Sequence, residues 1–396
     1  MKIDLISEHA DPLAVIGGVD SGGQNVHVAA LAEALAARGH DVVVHTRRHS
    51  PDLPSSLPLA GGARVSYITA GPAAPIPKDD LLPHMGDFAR ELARIWAGRP
   101  PDVAHAHFWM SGQAALRAAG RAIPVVQTFH ALGSVKRRWQ GRDDTSPAGR
   151  VEVEAAIGRA AAAVLATCHD EIGELTAMGV PEERLSIVPC GVDLSLFRPQ
   201  GRIAPRPGIH RVLSIGRLVP RKGVDTVLRA LREVPGAELI IAGGSAADPE
   251  AVRLVRLAET LGLTGRVKVI GSVPRDRVPE LMRSADVLVT VPWYEPFGMV
   301  PLEAMACGVP VIASAVGGHL DTVAGYGVLV PPRKPHLLAR ALRELLEQPE
   351  RRACLGASGA RRAAERYGWP RVAERTEQIY QRVVRGARLR MAPAGG

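Results

Sequence analysis

Short apolar segments alternate with helical patterns along almost the whole chain, and this alternation limits the folds that the chain can adopt. In the first half, strand-like runs occur at KIDLIS, DVVVHT, ARVSYI, DVAHAH, IPVVQTF, AAVLAT and RLSIVP. Strands that alternate with helices indicate βαβ units, a mainly parallel sheet and helices on both faces. The sequence therefore predicts a doubly wound, Rossmann-like α/β domain.

A second cycle of the same pattern follows a stretch rich in Pro and Gly. Its strand-like runs are RVLSIG, ELIIAGG, RVKVIG, ADVLVTV and PVIAS. A chain of 396 residues is too long for one ordinary core and suits two domains. We predict two Rossmann-like domains that face each other across a cleft. The predicted parts are an N-terminal domain at 1–198, a linker at 199–209, a C-terminal domain at 210–368, a helix at 369–388 that packs back on the first domain, and a frayed end.

Composition narrows the possible partners. The chain has 49 Lys and Arg against 40 Asp and Glu, but the basic residues are dispersed and only 4% of the residues are aromatic. Nucleic-acid surfaces concentrate basic and aromatic side chains, so nucleic acid is not an expected partner. A small polyanion needs only a few well-placed cations and is compatible with the net charge of +9.

The cysteines and the length of the apolar runs bear on location. The four cysteines lie far apart without a CxxC pair, which argues against a zinc site or a disulfide framework and favours a reducing cytoplasm. No stretch reaches the ~20 apolar residues of a membrane span. We therefore expect a soluble cytoplasmic protein and leave open whether it forms a homodimer.

One loop of the second domain has the features of a ligand site. A strand-like run is followed by PWYEPFGMVPLEAMACG, which reads as a loop with Glu295 and a helix that contains Glu303. In doubly wound sheets ligands bind at the carboxyl ends of strands, and amides at a helix N-terminus can hold phosphate or sugar oxygens. Such amides are expected at Gly298, Met299 and Val300. The two carboxylates can accept hydrogen bonds from the hydroxyls of one extended ligand.

Two cations follow the first strand of the second domain, in SIGRLVPRKG. Arg217 and Lys222 could neutralise a diphosphate leaving group there. Taken alone, Glu295 could be a solvated loop residue, and Glu303 could be a helix acid favoured by the dipole. The joint presence of two carboxylates and two cations at strand ends favours a site.

The first domain opens with a glycine loop, GGVDSGGQN, between a strand and a helix. The amides of Gly22 and Gly23 could approach a phosphate there, although the spacing is not the GxGxxG fingerprint. The alternative is a tight turn needed only for packing, with Asn25 and His27 as ordinary helix residues. His130 ends the run PVVQTFH at the carboxyl edge of the sheet, where a lone histidine is more often structural.

Two further histidine features are weaker. His9 also follows a strand, and it is a less certain candidate for the site than His130. His105 and His107 could resemble a metal pair, but they lie in a strand without a third ligand nearby, so we do not predict a metal there.

The segments IGRLVPRKG, YEPFGMVPLEAMACGVPVIAS and GGVDSGGQNVHV together resemble family 4 of the retaining glycosyltransferases, which have the GT-B fold. The resemblance covers nearly the whole chain. It implies transfer of a hexosyl or N-acetylhexosaminyl group from a nucleotide diphosphate sugar, UDP-linked by preference, to a hydroxyl of a small polar acceptor such as a cyclitol or sugar phosphate. It also implies a same-face substitution that retains configuration, with neither a metal nor a cofactor.

The resemblance assigns residues to the donor. It implies that Arg217 and Lys222 bind the donor phosphates together with the glycine-loop amides. It also implies that Glu303 binds the ribose hydroxyls and that the base lies near Val273.

The transferred sugar is implied to lie beside Glu295, His130 and the amides of Phe297 to Val300. The residues that we expect to be catalytic are Arg217, Lys222, His130 and Glu295.

The acceptor side follows the pattern of the family only in part. The resemblance implies that Asn25, Lys78 and Arg150 contact the acceptor. Family members that use inositol phosphate have a tyrosine and a threonine where this chain has Phe108 and Ala131, so two hydroxyl donors are absent. A bare polyol, an aminocyclitol or a differently placed sugar phosphate could fit instead.

Two other functions remain open from the sequence alone. Nucleotide-sugar 2-epimerases have the same two-lobed architecture but need no acceptor, whereas Asn25, Lys78 and Arg150 favour transfer. A sugar-nucleotide binder without catalysis is the other alternative, and the complete set of donor residues argues against it.

Overall fold

The computed structural model describes residues 1–14, 22–206, 208–245 and 247–391. Most of the glycine loop GGVDSGG and residue 207 of the predicted linker lie outside these ranges. The chain forms two compact units. One holds Met1–Pro189 and the C-terminal helix Trp369–Met391, and the other holds Cys190–Gly368.

The boundary between the units differs from the predicted one. Residues 190–198 belong to the second unit, because Val192 and Phe197 are buried in a core that also contains Leu213 and Leu302. The C-terminal helix lies in the first unit and continues to Met391, beyond the predicted end at 388. The frayed end predicted from 386 is therefore wrong as far as residue 391.

The first unit contains an eight-stranded sheet. Its strands are β1 Lys2–Ile6, β2 Asp41–Arg47, β3 Ser56–Pro58, β4 Arg64–Ile68, β5 Val103–His107, β6 Val125–Thr128, β7 Ala163–Ala166 and β8 Leu185–Ile187. The order is β3-β4-β2-β1-β5-β6-β7-β8, and every pair is parallel except β3 with β4. All seven predicted strands are present, as expected for a doubly wound sheet.

Helices cover both faces of this sheet. They are α1 Gly23–Ala36, α2 Met85–Gly98, α3 Trp109–Ala119, α4 Gly133–Gln140, α5 Arg150–Ala160 and α6 His169–Ala177. One core joins the sheet to α1 and the C-terminal helix through residues such as Leu31 and Tyr380. The other core joins it to α2 and α3 through residues such as Phe88 and Trp109.

The second unit contains six parallel strands in the order β11-β10-β9-β12-β13-β14. The strands are β9 His210–Ile215, β10 Ala237–Ala242, β11 Val267–Gly271, β12 Val287–Thr290, β13 Val311–Ser314 and β14 Val328–Val330. The helices are α7 Val224–Leu231, α8 Pro249–Thr260, α9 Val278–Arg283, α10 Met299–Ala306, α11 Gly318–Thr322, α12 Pro335–Leu346 and α13 Pro349–Arg366, and the C-terminal helix is α14.

Each sheet has one point where the strand order reverses. From β9 the chain fills one side with β10 and β11, and from β12 it fills the other side with β13 and β14. The corresponding pair in the first unit is β1 and β5. Crevices at the carboxyl ends of such strand pairs are where ligands bind in open α/β sheets. Within the described part of the chain, no helix has both the length and the apolar character of a membrane span.

Candidate functional site

An ion pair joins the two loops at the strand reversal of the second unit. The turn after β9 carries Lys222 and the loop after β12 carries Glu295, and Lys222 Nζ lies 2.5 Å from Glu295 Oε2. Gly223 permits this approach: its φ is +70°, and a Cβ there would lie 2.2 Å from the carbonyl oxygen of Val291. Arg217 is exposed in the same turn. The structure thus brings together three of the predicted residues.

The charges of this pair depend on each other. Burial alone would raise the pKa of Glu295. Lys222, together with His319 and Arg221, outweighs burial and lowers this pKa to about 2. Burial lowers the pKa of Lys222, and the cations Arg221 and Arg217 add to that effect, whereas Glu295 opposes it. Glu295 is therefore a carboxylate at neutral pH, and its charge is balanced by a lysine that is 23% exposed.

Glycines hold the loop that carries Glu295. The amide of Gly318 donates to the carbonyl oxygen of Glu295 at 2.9 Å. Gly317 has a φ of +46°, and a Cβ there would lie 2.3 Å from the same oxygen. Gly298 precedes α10 with a φ of +74°, and its nitrogen lies 3.5 Å from Glu295 Oε1. The three predicted amides, at Gly298, Met299 and Val300, thus lie at the N-terminus of an eight-residue helix.

Glu303 lies in α10 and is only 6% exposed. Arg275, which the sequence analysis missed, places Nη1 3.0 Å from Glu303 Oε1 and lies 5.1 Å from the ring centre of Phe197. Burial raises the pKa of Glu303, and Arg275 opposes that shift. Val273, predicted to lie near the base, is half-buried against the core of the second unit. In the sequence, the one signal for the contact between Arg275 and Glu303 was that Arg275 lies two residues after Val273.

In the first unit, Asn25 caps the start of α1. Its Oδ1 accepts from the amide of Gly22 at 3.0 Å, and its Nδ2 donates to the carbonyl oxygen of Asp11 at 2.9 Å. The Gly22 amide, predicted to face a phosphate, is therefore engaged by a side chain. Asn25 is 3% exposed, and its amide group is used to hold the loop and the helix together. Gly23 is the first residue of α1.

His130 belongs to a group of four buried histidines that the sequence analysis did not predict. This histidine cluster consists of His27, His105, His107 and His130. His107 Nδ1 lies 2.9 Å from His130 Nε2, and the rings of His105 and His107 are 4.1 Å apart. The sequence signal for this cluster was the i, i+2 spacing of His105 and His107, which places both side chains on one face of β5.

Burial determines the protonation of the histidine cluster. Desolvation, aided in three members by repulsion within the cluster, lowers the pKa of His27 to about 4 and that of His105 to about 3, and it lowers those of His107 and His130 well below 6.5. All four rings are therefore neutral at pH 7. His105 lies within hydrogen-bond distance of Tyr380 and Thr128 rather than a metal position. Among the described residues, no group of three or more His, Cys, Asp or Glu side chains is arranged to hold a metal ion.

Lys78 and Arg150 converge on the ring of Phe108. Lys78 Nζ lies 5.8 Å and the Arg150 guanidinium 5.0 Å from the ring centre. Arg150 is only 2% exposed, so it is a buried cation rather than a surface charge. Its nitrogens donate to Glu154 at 2.7 Å, to Ser146 at 3.1 Å and to the carbonyl oxygen of residue 131 at 2.5 Å.

The backbone is unusual at the carboxyl edge of the first sheet. Phe108 has a φ of +80° directly after β5, and His130 has a φ of +62° just after β6. Bulky residues rarely adopt positive φ, and such positions concentrate at functional sites. This edge also holds Glu8, whose carboxylate is hydrogen-bonded to His9 Nδ1 and to the hydroxyl of Ser111. Both predicted candidates at strand ends, His9 and His130, thus lie at one edge of the sheet.

Comparison with known proteins assigns both units to glycosyltransferase families. The family model for Glycosyltransferase Family 4 matches residues 21–196, and the model for Glycosyl transferases group 1 matches residues 203–362. The D-inositol 3-phosphate glycosyltransferase of Kineococcus radiotolerans is 36% identical over 97% of this chain and 95% of its own length. The enzyme of the same description from Acidothermus cellulolyticus is 37% identical over 96% and 90%.

Solved structures are similar over the whole chain. The sucrose-phosphate synthase of Thermosynechococcus elongatus has a TM-score of 0.90 and 32% identity, covering 97% of this chain and 99% of that one. Anabaena HepE, solved with UDP-glucose, has a TM-score of 0.71 and 20% identity, covering 98% and 100%. The first likeness extends to sequence, whereas the second concerns the fold alone.

Proposed function

Because the chain belongs to family 4 of the glycosyltransferases and has their GT-B fold, we propose that it moves a hexosyl or N-acetylhexosaminyl group from a UDP-linked sugar to a hydroxyl of a small polar acceptor. The acceptor class is a cyclitol or a sugar, with or without phosphate. The transfer retains the anomeric configuration and needs no metal or cofactor.

The ion pair between Lys222 and Glu295 is the observation that carries this proposal. It lies at the strand reversal of the second unit, where a nucleotide would be expected, and it combines a cation with a carboxylate. Lys222 and the exposed Arg217 can neutralise the diphosphate, which is the leaving group. Once Lys222 turns to the phosphate, Glu295 is available to accept hydrogen bonds from sugar hydroxyls.

The start of α10 supports a second contact with the donor. The amides of Phe297 to Val300 lie next to Glu295 and can donate to the transferred sugar. Glu303 lies farther along the same helix, and Arg275 holds one of its oxygens at 3.0 Å. Its carboxylate is thereby oriented for the ribose hydroxyls. Val273, in the loop that carries Arg275, stays our proposed neighbour of the base.

The mechanism follows from which charges the site supplies. The bond between the anomeric carbon and the phosphate oxygen breaks as the acceptor oxygen bonds to the same face of that carbon. The acceptor proton passes to the departing phosphate, so the protein supplies cations and orientation more than a base. His130, which is buried and neutral, can then stand beside the transferred sugar without placing a competing charge there.

The proposed acceptor residues lie in the first unit. Lys78 is the more accessible cation there, with a side chain that is 27% exposed, whereas Arg150 is bound to protein groups. The names of the relatives, D-inositol 3-phosphate glycosyltransferase and sucrose-phosphate synthase, support a phosphorylated acceptor. Phe108 and Ala131 depart from the inositol-phosphate pattern, and we therefore include the unphosphorylated polyols.

A donor and acceptor screen tests this proposal. UDP-glucose, UDP-N-acetylglucosamine and GDP-mannose are each incubated with inositol, D-inositol 3-phosphate and a hexose phosphate, with and without a chelator. We expect one UDP-sugar to be consumed only in the presence of an acceptor, at a rate that chelation leaves unchanged, and we expect NMR of the product to show the anomer of the donor. Formation of an epimer from a UDP-sugar alone would instead identify an epimerase.

A substitution at the ion pair tests the site itself. Replacing Lys222 by Ala should lower turnover by about 10² or more, because a preorganised charge at the leaving group is lost. Lys334→Ala, at an exposed position of the same unit, is the matched control. Near-normal turnover of Lys222→Ala would overturn the proposal.

A further inference from the structure

His319 is a buried histidine next to Gly298, which lies in the loop that carries Glu295. The proposed mechanism does not use it. It is fully buried in α11, and its Nδ1 lies 3.0 Å from the carbonyl oxygen of Ser314. Because a carbonyl oxygen can only accept, Nδ1 carries the proton and Nε2 carries a lone pair. Among the described residues Nε2 is buried without a hydrogen-bond partner. A buried polar atom of this kind needs an explanation.

The unpartnered side of the ring is turned toward the Glu295 loop. His319 Cδ2, the carbon bonded to Nε2, lies 3.2 Å from the position of a Cβ on Gly298. The nitrogen of Gly298 is in turn 3.5 Å from Glu295 Oε1. The residue before His319, Gly318, donates to the carbonyl oxygen of Glu295 at 2.9 Å. The imidazole and the carboxylate therefore both lie against Gly298.

Two charged groups from neighbouring loops act on this ring in opposite directions. Burial lowers the pKa of His319, Glu295 raises it, and Lys222 lowers it. While Lys222 is bound to Glu295, the two charges oppose each other at the ring, burial keeps the pKa of His319 below its ordinary value, and the histidine is neutral. The balance changes if the ammonium group moves away from the carboxylate.

Donor binding is the event that would move it. A diphosphate competes with Glu295 for Lys222, and a carboxylate that is only 12% exposed is then left without its counter-ion. Removing one partner from a buried pair is strongly unfavourable unless another charge replaces it. Arg221 also acts on Glu295, but its guanidinium lies against the ring of Tyr294. The imidazole of His319 is a neighbour of this loop that can become positive, by taking a proton on Nε2.

We propose that His319 is a positioning residue for Glu295, and that it takes up one proton on Nε2 when the donor diphosphate draws Lys222 away. The proton comes from solvent, and no bond of the donor breaks in this step. The inference rests on the proposed function, since it requires a nucleotide sugar at Lys222. It makes donor binding weaker as the pH rises.

Calorimetry in buffers with different ionisation enthalpies measures this proton directly. UDP-glucose and UDP-N-acetylglucosamine are suitable probes, because their diphosphate does not titrate near neutrality. We expect the intact protein to take up about 0.5 to 1 proton on binding at pH 7. His319→Asn, which keeps a donor for Ser314, should abolish the uptake and weaken binding by about fivefold or more. His336→Asn, at an exposed position of α12, should leave both unchanged.

The outcomes separate the inference from the proposed function. If neither nucleotide sugar binds, the proposed function fails and this inference fails with it. If one binds without proton uptake, or if His319→Asn shows the same uptake, only the role of His319 is overturned. If the variant fails to fold, absence of proton uptake by the unmodified protein would still overturn the role of His319.

Discussion

Gly317 is the position at which a single methyl group should disturb the donor site most selectively. Its φ of +46° is in the left-handed region, and a Cβ there would lie 2.3 Å from the carbonyl oxygen of Glu295. Carbon and carbonyl oxygen ordinarily approach no closer than about 3.3 Å. Gly317→Ala must therefore move the backbone of Glu295 by roughly 1 Å, although residue 317 need not touch any substrate.

The expected magnitudes follow from these two effects. The φ of +46° and ψ of −131° of Gly317 lie outside the regions open to residues with a side chain, and an alanine there costs about 1–3 kcal/mol of folding free energy. A misplacement of roughly 1 Å at a catalytic constellation lowers the rate by about 10²-fold. Because Lys222 Nζ lies 2.5 Å from Glu295 Oε2, the shift also disturbs the cation that we propose for the leaving group. Gly317→Ala should thus lose about 10²-fold in turnover in addition to this loss of stability.

Gly325→Ala is the matched control for this experiment. Gly325 has a φ of +78° in the same unit, and a Cβ there would meet nothing within 4 Å. Gly317→Ala should lose at least as much free energy of unfolding in urea as Gly325→Ala, and only Gly317→Ala should lose turnover with the donor found in the screen. If the turnover of the two variants agrees within about threefold, the contact between Gly317 and Glu295 does not position the site, and the reasoning fails.

Two further outcomes are expected from the charges of the two units. Arg275→Gln leaves the buried Glu303 without its partner and should raise the donor KM about tenfold, whereas Arg277→Gln, at an exposed position, should not; equal KM values would contradict the role of Glu303. The pKa of His27 is lowered to about 4 from 6.5, so the unfolded chain binds protons that the folded chain does not. The free energy of unfolding should therefore fall as the pH drops from 6.5 toward 4, by about 2 kcal/mol for this residue alone at pH 5. The other members of the histidine cluster act in the same direction, and Glu171, whose pKa burial raises to about 6, acts in the opposite one. Urea titrations at pH 7 and pH 5 that gave equal free energies would refute this effect.

The fold was predictable where strands are buried and bounded by turns. Twelve runs of apolar residues had such boundaries, and each corresponds to an observed strand. The sequence analysis missed two strands, β3 and β14, which have three residues each; β3 is mostly exposed, and β14 is buried only at Val330. They carry no periodic signal, because the neighbouring strand rather than their own pattern determines their conformation.

The boundary between the units was less predictable, because it depends on tertiary packing. Residues 190–198 precede the segment rich in Pro and Gly, which marked the linker in the sequence. Phe197 is nevertheless fully buried, and it packs with the core of the second unit and beside Arg275. A local composition shift indicates where a chain lacks regular structure, but not which core the flanking residues enter.

The donor site was predictable to the extent that its residues lie on short loops after strands. Lys222 and Glu295 are 73 positions apart, yet both follow strands that the pattern identified, and the sheet order brings them together. Arg275, Gly317 and His319 were missed because each acts through a loop that is not its neighbour in sequence. Such contacts depend on the order of strands in the sheet, which the alternation of strands and helices does not specify.

The two units hold their cations in different ways, and this difference bears on the acceptor. Lys222 is 23% exposed and is paired with the carboxylate of Glu295, so a diphosphate can compete with that carboxylate for the ammonium group. Arg150 is 2% exposed and donates to three protein groups, including the buried carboxylate of Glu154. Drawing Arg150 toward an acceptor phosphate would leave Glu154 unpaired in the interior, which is strongly unfavourable. Arg150 is therefore better suited to hold the loop around Phe108 than to bind a phosphate, and recognition of a charged acceptor in the first unit would depend chiefly on Lys78.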